Sequence, residues 1–63
     1  MKYEIKEFET GTVLSAYAHI SNVLKQLRNY ADGDMREFNY QLNYEGECIC
    51  YGTADEIIAW IME

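Results

Sequence analysis

Two cysteines separated by one residue, Cys48 and Cys50, have the greatest capacity for chemistry in this chain. A pair of thiols can form a disulfide, exchange with other thiols or bind a soft metal ion. In an extended strand, however, alternate Cα atoms lie about 6.6 Å apart, near the upper limit for a disulfide. A metal site would also need two more ligands. A thiol-redox or metal-binding role for this pair is therefore kept as the alternative interpretation.

The histidine and the carboxylates indicate no catalytic arrangement. His19 is the only histidine, and the helix predicted around it carries no acid that could orient its ring for proton transfer. The acidic residues fall on predicted turns, strand ends and a first helical turn, where a carboxyl group stays solvated and its pKa ordinary. The four glycines each account for a separate turn. We predict that the protein is not an enzyme and holds no cofactor or metal.

The charge of the chain limits its partners. The formal net charge is −6 at pH 7, and only five residues are basic. Binding to nucleic acid relies on Lys and Arg to replace counterions, so we expect no direct nucleic-acid binding. A basic protein surface is a compatible partner. The acidic residues that we expect to face such a partner are Glu4, Asp32, Asp34, Glu45 and Glu47.

Length and hydropathy indicate one small domain. Sixty-three residues accommodate a single core, so we treat residues 1–63 as one α/β domain. No run approaches the roughly 20 apolar residues of a membrane-spanning helix, and the start of the chain lacks the apolar segment of a signal peptide. Two cysteines do not make a secreted disulfide framework. We expect a cytoplasmic protein that does not bind membranes.

A long amphipathic helix is predicted over residues 13–31. At about 100° per residue, its apolar side chains fall on one continuous arc. Either Thr10 or Thr12 would cap the start of this helix. The Asp-Gly-Asp sequence of residues 32–34 would end it.

Alternating apolar and polar residues predict three strands, at residues 2–8, 36–44 and 47–51. Glu45-Gly46 would form a two-residue turn between the last two strands. In that register Leu42 faces Ile49 and Tyr40 faces Tyr51, which puts these four side chains on one face of the sheet and both cysteines on the other.

The second helix is predicted at residues 54–62, because Thr53 and Glu56 fit a capping box. The chain is then an α+β fold of order β-α-β-β-α, with a three-stranded antiparallel or mixed sheet. We place the short, apolar third strand in the centre, which gives strand order 1-3-2 with both helices on one face. The alternative has the second strand in the centre.

Two predicted surfaces, an unpaired strand edge and an exposed apolar helix face, are unusual for a monomer. In the order 1-3-2, the second strand is a long edge without Pro or an interior Lys, and natural proteins seldom leave such an edge unpaired. The second helix is apolar over about 200° of its circumference, so that some large side chains stay exposed. The residues predicted to contact a second copy or a partner protein are Asn39, Gln41, Asn43, Trp60, Met62 and Leu14.

Together these features predict a non-catalytic, small acidic protein-interaction module, which we expect to be a homodimer. It would act by binding a larger protein. One form of this hypothesis is an inhibitor from a mobile element that blocks a host nucleic-acid enzyme, with its carboxylates in the place of phosphates.

Overall fold

The computed structural model describes residues 2–63, which form one four-stranded antiparallel sheet and two helices. The strands are β1 (Tyr3–Glu7), β2 (Val13–Tyr17), β3 (Asn39–Tyr44) and β4 (Glu47–Thr53). The helices are α1 (Ile20–Asp32) and α2 (Ala54–Met62). The predicted α+β class is confirmed, whereas the predicted three-stranded sheet is wrong. Neither helix in this part of the chain is long and apolar enough to cross a membrane.

The missing strand comes from the first part of the predicted long helix. Residues 13–17 form β2, and α1 begins only at Ile20. The residues of β2 also fit the apolar arc of a helix, because periodicity alone does not distinguish a short apolar run in a strand from one in a helix. As a strand, this segment gives β1 a second hydrogen-bonded neighbour. The hydrogen bonds of this pairing outweigh the helical pattern.

The turn before β2 was placed correctly but joins different elements. It connects β1 to β2, so its threonines do not cap a helix. The hydroxyl of Thr10 donates to the hydroxyl of Thr12 over 2.9 Å within this turn. The N-cap of α1 is His19, whose side chain makes no capping hydrogen bond.

β3 lies in the centre of the sheet, so the predicted strand order 1-3-2 is wrong. The observed order is β2-β1-β3-β4, and β3 pairs antiparallel with β1 on one side and with β4 on the other. The direction of the chain explains this order. β2 runs antiparallel to β1, and α1 follows it. β3 then also runs antiparallel to β1 and pairs with it directly. β4 then takes the outer place beside β3.

The hairpin between β3 and β4 has the predicted turn, and its register changes after two pairs, Tyr44 with Glu47 and Asn43 with Cys48. Glu45 and Gly46 both have positive φ, 50° and 88°, as in the two-residue turns that match the twist of a hairpin. Beyond the pair of Asn43 with Cys48 the register shifts, and Leu42 pairs with Cys50. Two residues of β4 therefore oppose one residue of β3, which is a β-bulge.

The bulge reverses the predicted faces of β4 beyond Cys48, which pairs with Asn43 as predicted. Cys50 packs against the core instead of facing away from the helices. Ile49 and Tyr51, which were predicted to join the core, are exposed. A single inserted residue has this effect because side chains alternate between faces with a period of two.

The core lies between the sheet and both helices, which cover the same face as predicted. Its fully buried members are Ile5, Val23, Leu27, Tyr40, Leu42, Ala54 and Ile57. Tyr40 stacks on Tyr30 of α1 with ring centroids 5.1 Å apart, and its hydroxyl donates to the carbonyl of Met35 over 2.8 Å. Leu14, predicted to lie exposed on a helix, is a strand residue that packs against this core.

The predicted capping box of α2 is confirmed. The backbone N–H of Glu56 donates to the Thr53 hydroxyl over 3.3 Å, and the backbone N–H of Thr53 donates to Glu56 Oε1 over 3.0 Å. The chain therefore passes from β4 into α2 without a connecting loop.

Candidate protein-interaction surface

One face of the sheet carries no helix within residues 2–63, and we call it the open face. Residues opposite each other in antiparallel strands share a face, and successive residues alternate. Because Ile5 and Leu42 are buried under the helices, their neighbours along each strand lie on the open face. The register then gives the residues of the open face as Glu4, Lys6, Val13, Ala16, Asn39, Gln41, Asn43, Cys48, Tyr51 and Thr53.

The open face has almost no net charge, although the chain carries −6. Its one acid, Glu4, is matched by one base, Lys6, and amide side chains occupy its centre along β3. This face therefore offers polar and apolar contacts without the repulsion that the rest of the surface would exert on another acidic protein.

Tyr51 of the open face forms an exposed aromatic pair with Phe8. Phe8 directly follows β1, and its backbone N–H donates to the carbonyl of Asn39 over 3.0 Å. The Phe8 ring contacts the ring of Tyr51, with centroids 5.5 Å apart. Tyr51 is 68% exposed and Phe8 is also exposed. Aromatic side chains in such positions are the residues that most often supply binding energy at protein interfaces.

The topology collects most of the carboxylates at one end of the molecule, which we call the acidic end. β1 and β4 finish at this end of the sheet, and β2 and β3 begin there. The connection from α1 to β3 and the start of α2 lie at the same end. The seven acidic residues of the acidic end, of eleven in the chain, are Glu7, Glu9, Asp32, Asp34, Glu37, Asp55 and Glu56.

A small cavity opens where the acidic end meets the aromatic pair. It has a volume of about 210 Å³ and is lined by Glu7, Glu9, Glu37, Phe38 and Asn39. Phe38 is about half exposed. Acidic and aromatic residues are the types that bind a Lys or Arg side chain, by ion pairing and by the attraction between a cation and the face of a ring, and this cavity is lined by three acids and one aromatic residue.

The acidic residues singled out from the sequence do not form one surface. Asp32 and Asp34 lie at the acidic end, at the C-terminus of α1. Glu45 and Glu47 lie at the turn between β3 and β4, at the opposite end of the sheet. Glu4 lies between the two groups on the open face.

The residues that line the cavity were not singled out from the sequence, although a signal for two of them exists. Glu7 and Glu9 flank the apolar Phe8 just where the alternation of the first strand breaks. A large apolar residue between two acids at a strand end is typical of an exposed aromatic side chain. Glu37 and Phe38 gave no comparable signal, because they join the site only through the pairing of β1 with β3.

The predicted interface residues of β3 lie on the open face, not at an edge. Asn43 is only 4% exposed, and its Oδ1 has no hydrogen-bond partner among residues 2–63. Trp60 and Met62 are exposed on α2, where Trp60 borders a shallow depression with Glu56, Ala59 and Glu63. Since α2 covers the other face of the sheet, the structure does not bring these two groups together.

The two cysteines have different surroundings. Cys48 is exposed, Cys50 is partly buried, and both are free thiols. Burial, and then the neighbouring Cys48, raises the pKa of the Cys50 thiol, which keeps Cys50 protonated at neutral pH. In the described part of the chain, no three His, Cys, Asp or Glu side chains are grouped to hold a metal ion. No observation favours thiol chemistry over the protein-interaction function.

Comparison with known proteins gives no match: no family model, no curated protein and no solved structure is significantly similar to this chain.

Proposed function

We propose that this protein is a non-catalytic interaction module that binds a basic surface of a larger protein. The proposal is supported by the cavity that Phe38 lines together with the acidic residues Glu7, Glu9 and Glu37. The aromatic pair of Phe8 and Tyr51 adjoins this cavity through the Phe8–Asn39 hydrogen bond. An aromatic centre with a charged rim is the usual composition of a protein interface.

The distribution of acids at α1 supports the same proposal. Asp32 and Asp34 stand at the C-terminus of this helix, and its last turn has no basic residue. Carboxylates there face the negative end of the helix dipole, which disfavours each of them by roughly 0.3–1 kcal/mol. A role in binding would explain why Asp32 and Asp34 lie where their charge destabilises the helix.

The proposed partner class follows from the charge of the site. A protein with an extended basic surface is typically one that binds nucleic acid. Carboxylates of the acidic end would occupy the places where such a partner binds phosphates. We therefore propose an inhibitor that blocks a nucleic-acid enzyme by direct protein contact, as a mobile element would use against its host in the cytoplasm. We also propose that the protein is a homodimer.

The proposal is tested with an oligoarginine peptide as a probe of basic surfaces, by calorimetric titration at low and high salt. The double variant Glu7→Gln/Glu37→Gln is expected to weaken binding about two- to thirty-fold, since an exposed ion pair contributes roughly 0.2–1 kcal/mol. Binding by the unmodified protein should fall with added salt.

The matched control is Glu45→Gln/Glu47→Gln, which removes the same charge from the opposite end of the sheet. It is expected to change the affinity less than the cavity variant does. Phe38→Ala leaves the charge unchanged and is expected to weaken binding through loss of the ring. Equal effects of the two double variants, with none from Phe38→Ala, would mean that the peptide responds only to net charge, and would refute the proposed site.

A further inference from the structure

The outer strand β2 is unusual for a chain of this charge. Residues 10–24 contain no Asp, Glu, Lys or Arg, and β2 lies inside this segment. It contains no Pro, and its backbone has a neighbour on one side only, since β2 is one of the two outer strands of the sheet. Natural proteins protect outer strands with charges, Pro or a covering element, because free backbone groups there pair with other chains.

The hydrogen-bonding pattern identifies which backbone groups of β2 are free. The residues on either side of β1 bond to the chain of β3 and its turn: the Phe8 N–H donates to the Asn39 carbonyl, and the Glu45 N–H donates to the Lys2 carbonyl. Residues of an antiparallel strand bond alternately to its two neighbours, so Ile5 and Tyr3 bond to β2. Their partners Ser15 and Tyr17 therefore use their backbone groups on β1. Ala16, between them, directs its N–H and C=O to the free edge.

We infer that β2 is the surface through which two copies of this chain associate, with the Ala16 residues of the two copies paired across a two-fold axis. The inference rests on the homodimer included in the proposed function and names the surface that forms it. Antiparallel pairing at Ala16 places Ser15 opposite the second copy's Tyr17. The two sheets become one eight-stranded sheet, and both open faces lie on the same side.

Charge explains why the partner at this edge is a second copy. Two copies with a charge of −6 each repel each other over most of their surfaces. Glu4 lies opposite Ala16 on β1, so in the paired arrangement the two Glu4 residues are three strand spacings apart, about 14 Å. This exceeds the screening length of about 10 Å in 0.1 M salt. The β2 edge therefore joins two acidic molecules without bringing an acid beside an acid.

The other outer strand, β4, cannot pair with a second copy of itself without bringing acidic residues together. β4 begins with Glu47, and Asp55 and Glu56 follow directly after its end at Thr53. Antiparallel pairing of two β4 strands would bring Glu47 of each copy beside the Thr53 end of the other, where these two acids lie. Both outer strands contain a bulge, at Leu14 in β2 and at Ile49 in β4, so the difference between the two edges lies in these acids.

Sedimentation velocity over a wide range of concentrations tests the inference. Ala16→Pro removes the outward N–H without removing a bond to β1, and a proline is tolerated on an outer strand in this position. We expect the dimer dissociation constant to rise at least about ten-fold. Val13→Lys is the second variant, since it places a charge at an exposed apolar residue of β2 and does not depend on a proline being accepted.

The matched control is Ile49→Lys, the same charge at an exposed apolar residue of β4. Added lysine lowers the net negative charge in both variants, so a general charge effect would favour association in both. Loss of the dimer in Val13→Lys but not in Ile49→Lys supports the inference. A dimer that survives both β2 variants, or a protein that is monomeric at all concentrations, overturns it.

Amide hydrogen exchange gives a second readout in the unmodified protein. The Ala16 amide should become protected as the concentration rises, whereas Ser15 and Tyr17 are protected throughout by β1. An Ala16 amide that exchanges freely at concentrations where sedimentation shows a dimer overturns the inference. Oligoarginine binding separates this result from the proposed function, because Ala16 lies away from the cavity. Peptide binding that persists in a monomeric Ala16→Pro variant supports the assignment of β2 to self-association alone.

Discussion

At the scale of single residues, Gly52 occupies the most constrained backbone position in the hairpin and helix that follow it. Its φ is +142°, and a Cβ atom built there would lie 3.1 Å from Glu56 Oε1 and 3.2 Å from Glu56 Cβ. Glu56 is held by the capping box, so it does not move away without loss of the cap. Both the backbone and the space therefore require glycine at this position.

Gly52→Ala is therefore expected to lower the free energy of unfolding by about 1–3 kcal/mol, measured by urea denaturation. Gly33→Ala is the matched control. Gly33 has a φ of −113°, and its nearest neighbour to an added Cβ is the Asn29 carbonyl at 3.5 Å. This variant should be neutral or slightly stabilising, because it restricts the unfolded chain. Equal destabilisation by both variants would show that Gly52 has no special conformational role.

Residues with local partners were predictable from the sequence, and residues with distant partners were not. Thr53 and Glu56 are three positions apart, and this spacing alone predicts the hydrogen bonds that they form. Glu45 and Gly46 were recognised for the same reason. Phe38 and Glu7 meet only after β1 pairs with β3, and no sequence pattern gives that pairing.

At the scale of the elements, α2 is the helix whose start depends most clearly on protonation. Hydrogen bonds from the backbone N–H and then the hydroxyl of Thr53 lower the pKa of the Glu56 carboxyl group. A carboxyl group with a lower pKa in the folded state stabilises that state above its unfolded pKa of about 4.3. This contribution is lost as the pH falls through the folded-state pKa.

Glu56→Gln is expected to remove this pH dependence while keeping an oxygen that can accept the Thr53 N–H. The free energy of unfolding of the unmodified protein, minus that of Glu56→Gln, should therefore decrease as the pH is lowered from 7 through the acidic range. Glu56→Ala, which has no acceptor, should be less stable than Glu56→Gln at every pH. A difference between the unmodified protein and Glu56→Gln that does not change with pH would contradict the role given to the ionised carboxylate.

The helix predicted over residues 13–31 was correct in its second half and wrong in its first. The second half of the predicted helix was correct, because Val23 and Leu27 are buried on the arc that the periodicity indicates. The first half was wrong, because five residues span little more than one helical turn, and such a segment fits a strand as well as a helix. Because β2 was missed, the predicted chain direction after it was wrong. The predicted strand order and the predicted outer strands of the sheet were therefore wrong as well.

At the scale of the whole molecule, charge and apolar surface are arranged separately. The acidic end carries most of the carboxylates, the open face is nearly neutral, and the β2 edge is uncharged. In our account each region has a different role: the acidic end and the adjoining aromatic side chains bind a basic partner, and β2 joins two copies. Composition alone could indicate an acidic interaction protein, but the separation of these regions follows from the topology.

Backbone amide chemical shifts, followed during titration with an oligoarginine peptide, show which residues of the protein bind a basic partner. We expect the largest changes at the cavity residues Glu7, Glu9, Phe38 and Asn39, with smaller changes at Glu45 and Glu47. The changes should diminish with added salt. Changes that are largest at Glu45 and Glu47, or spread evenly over all acidic residues, would contradict the proposed site.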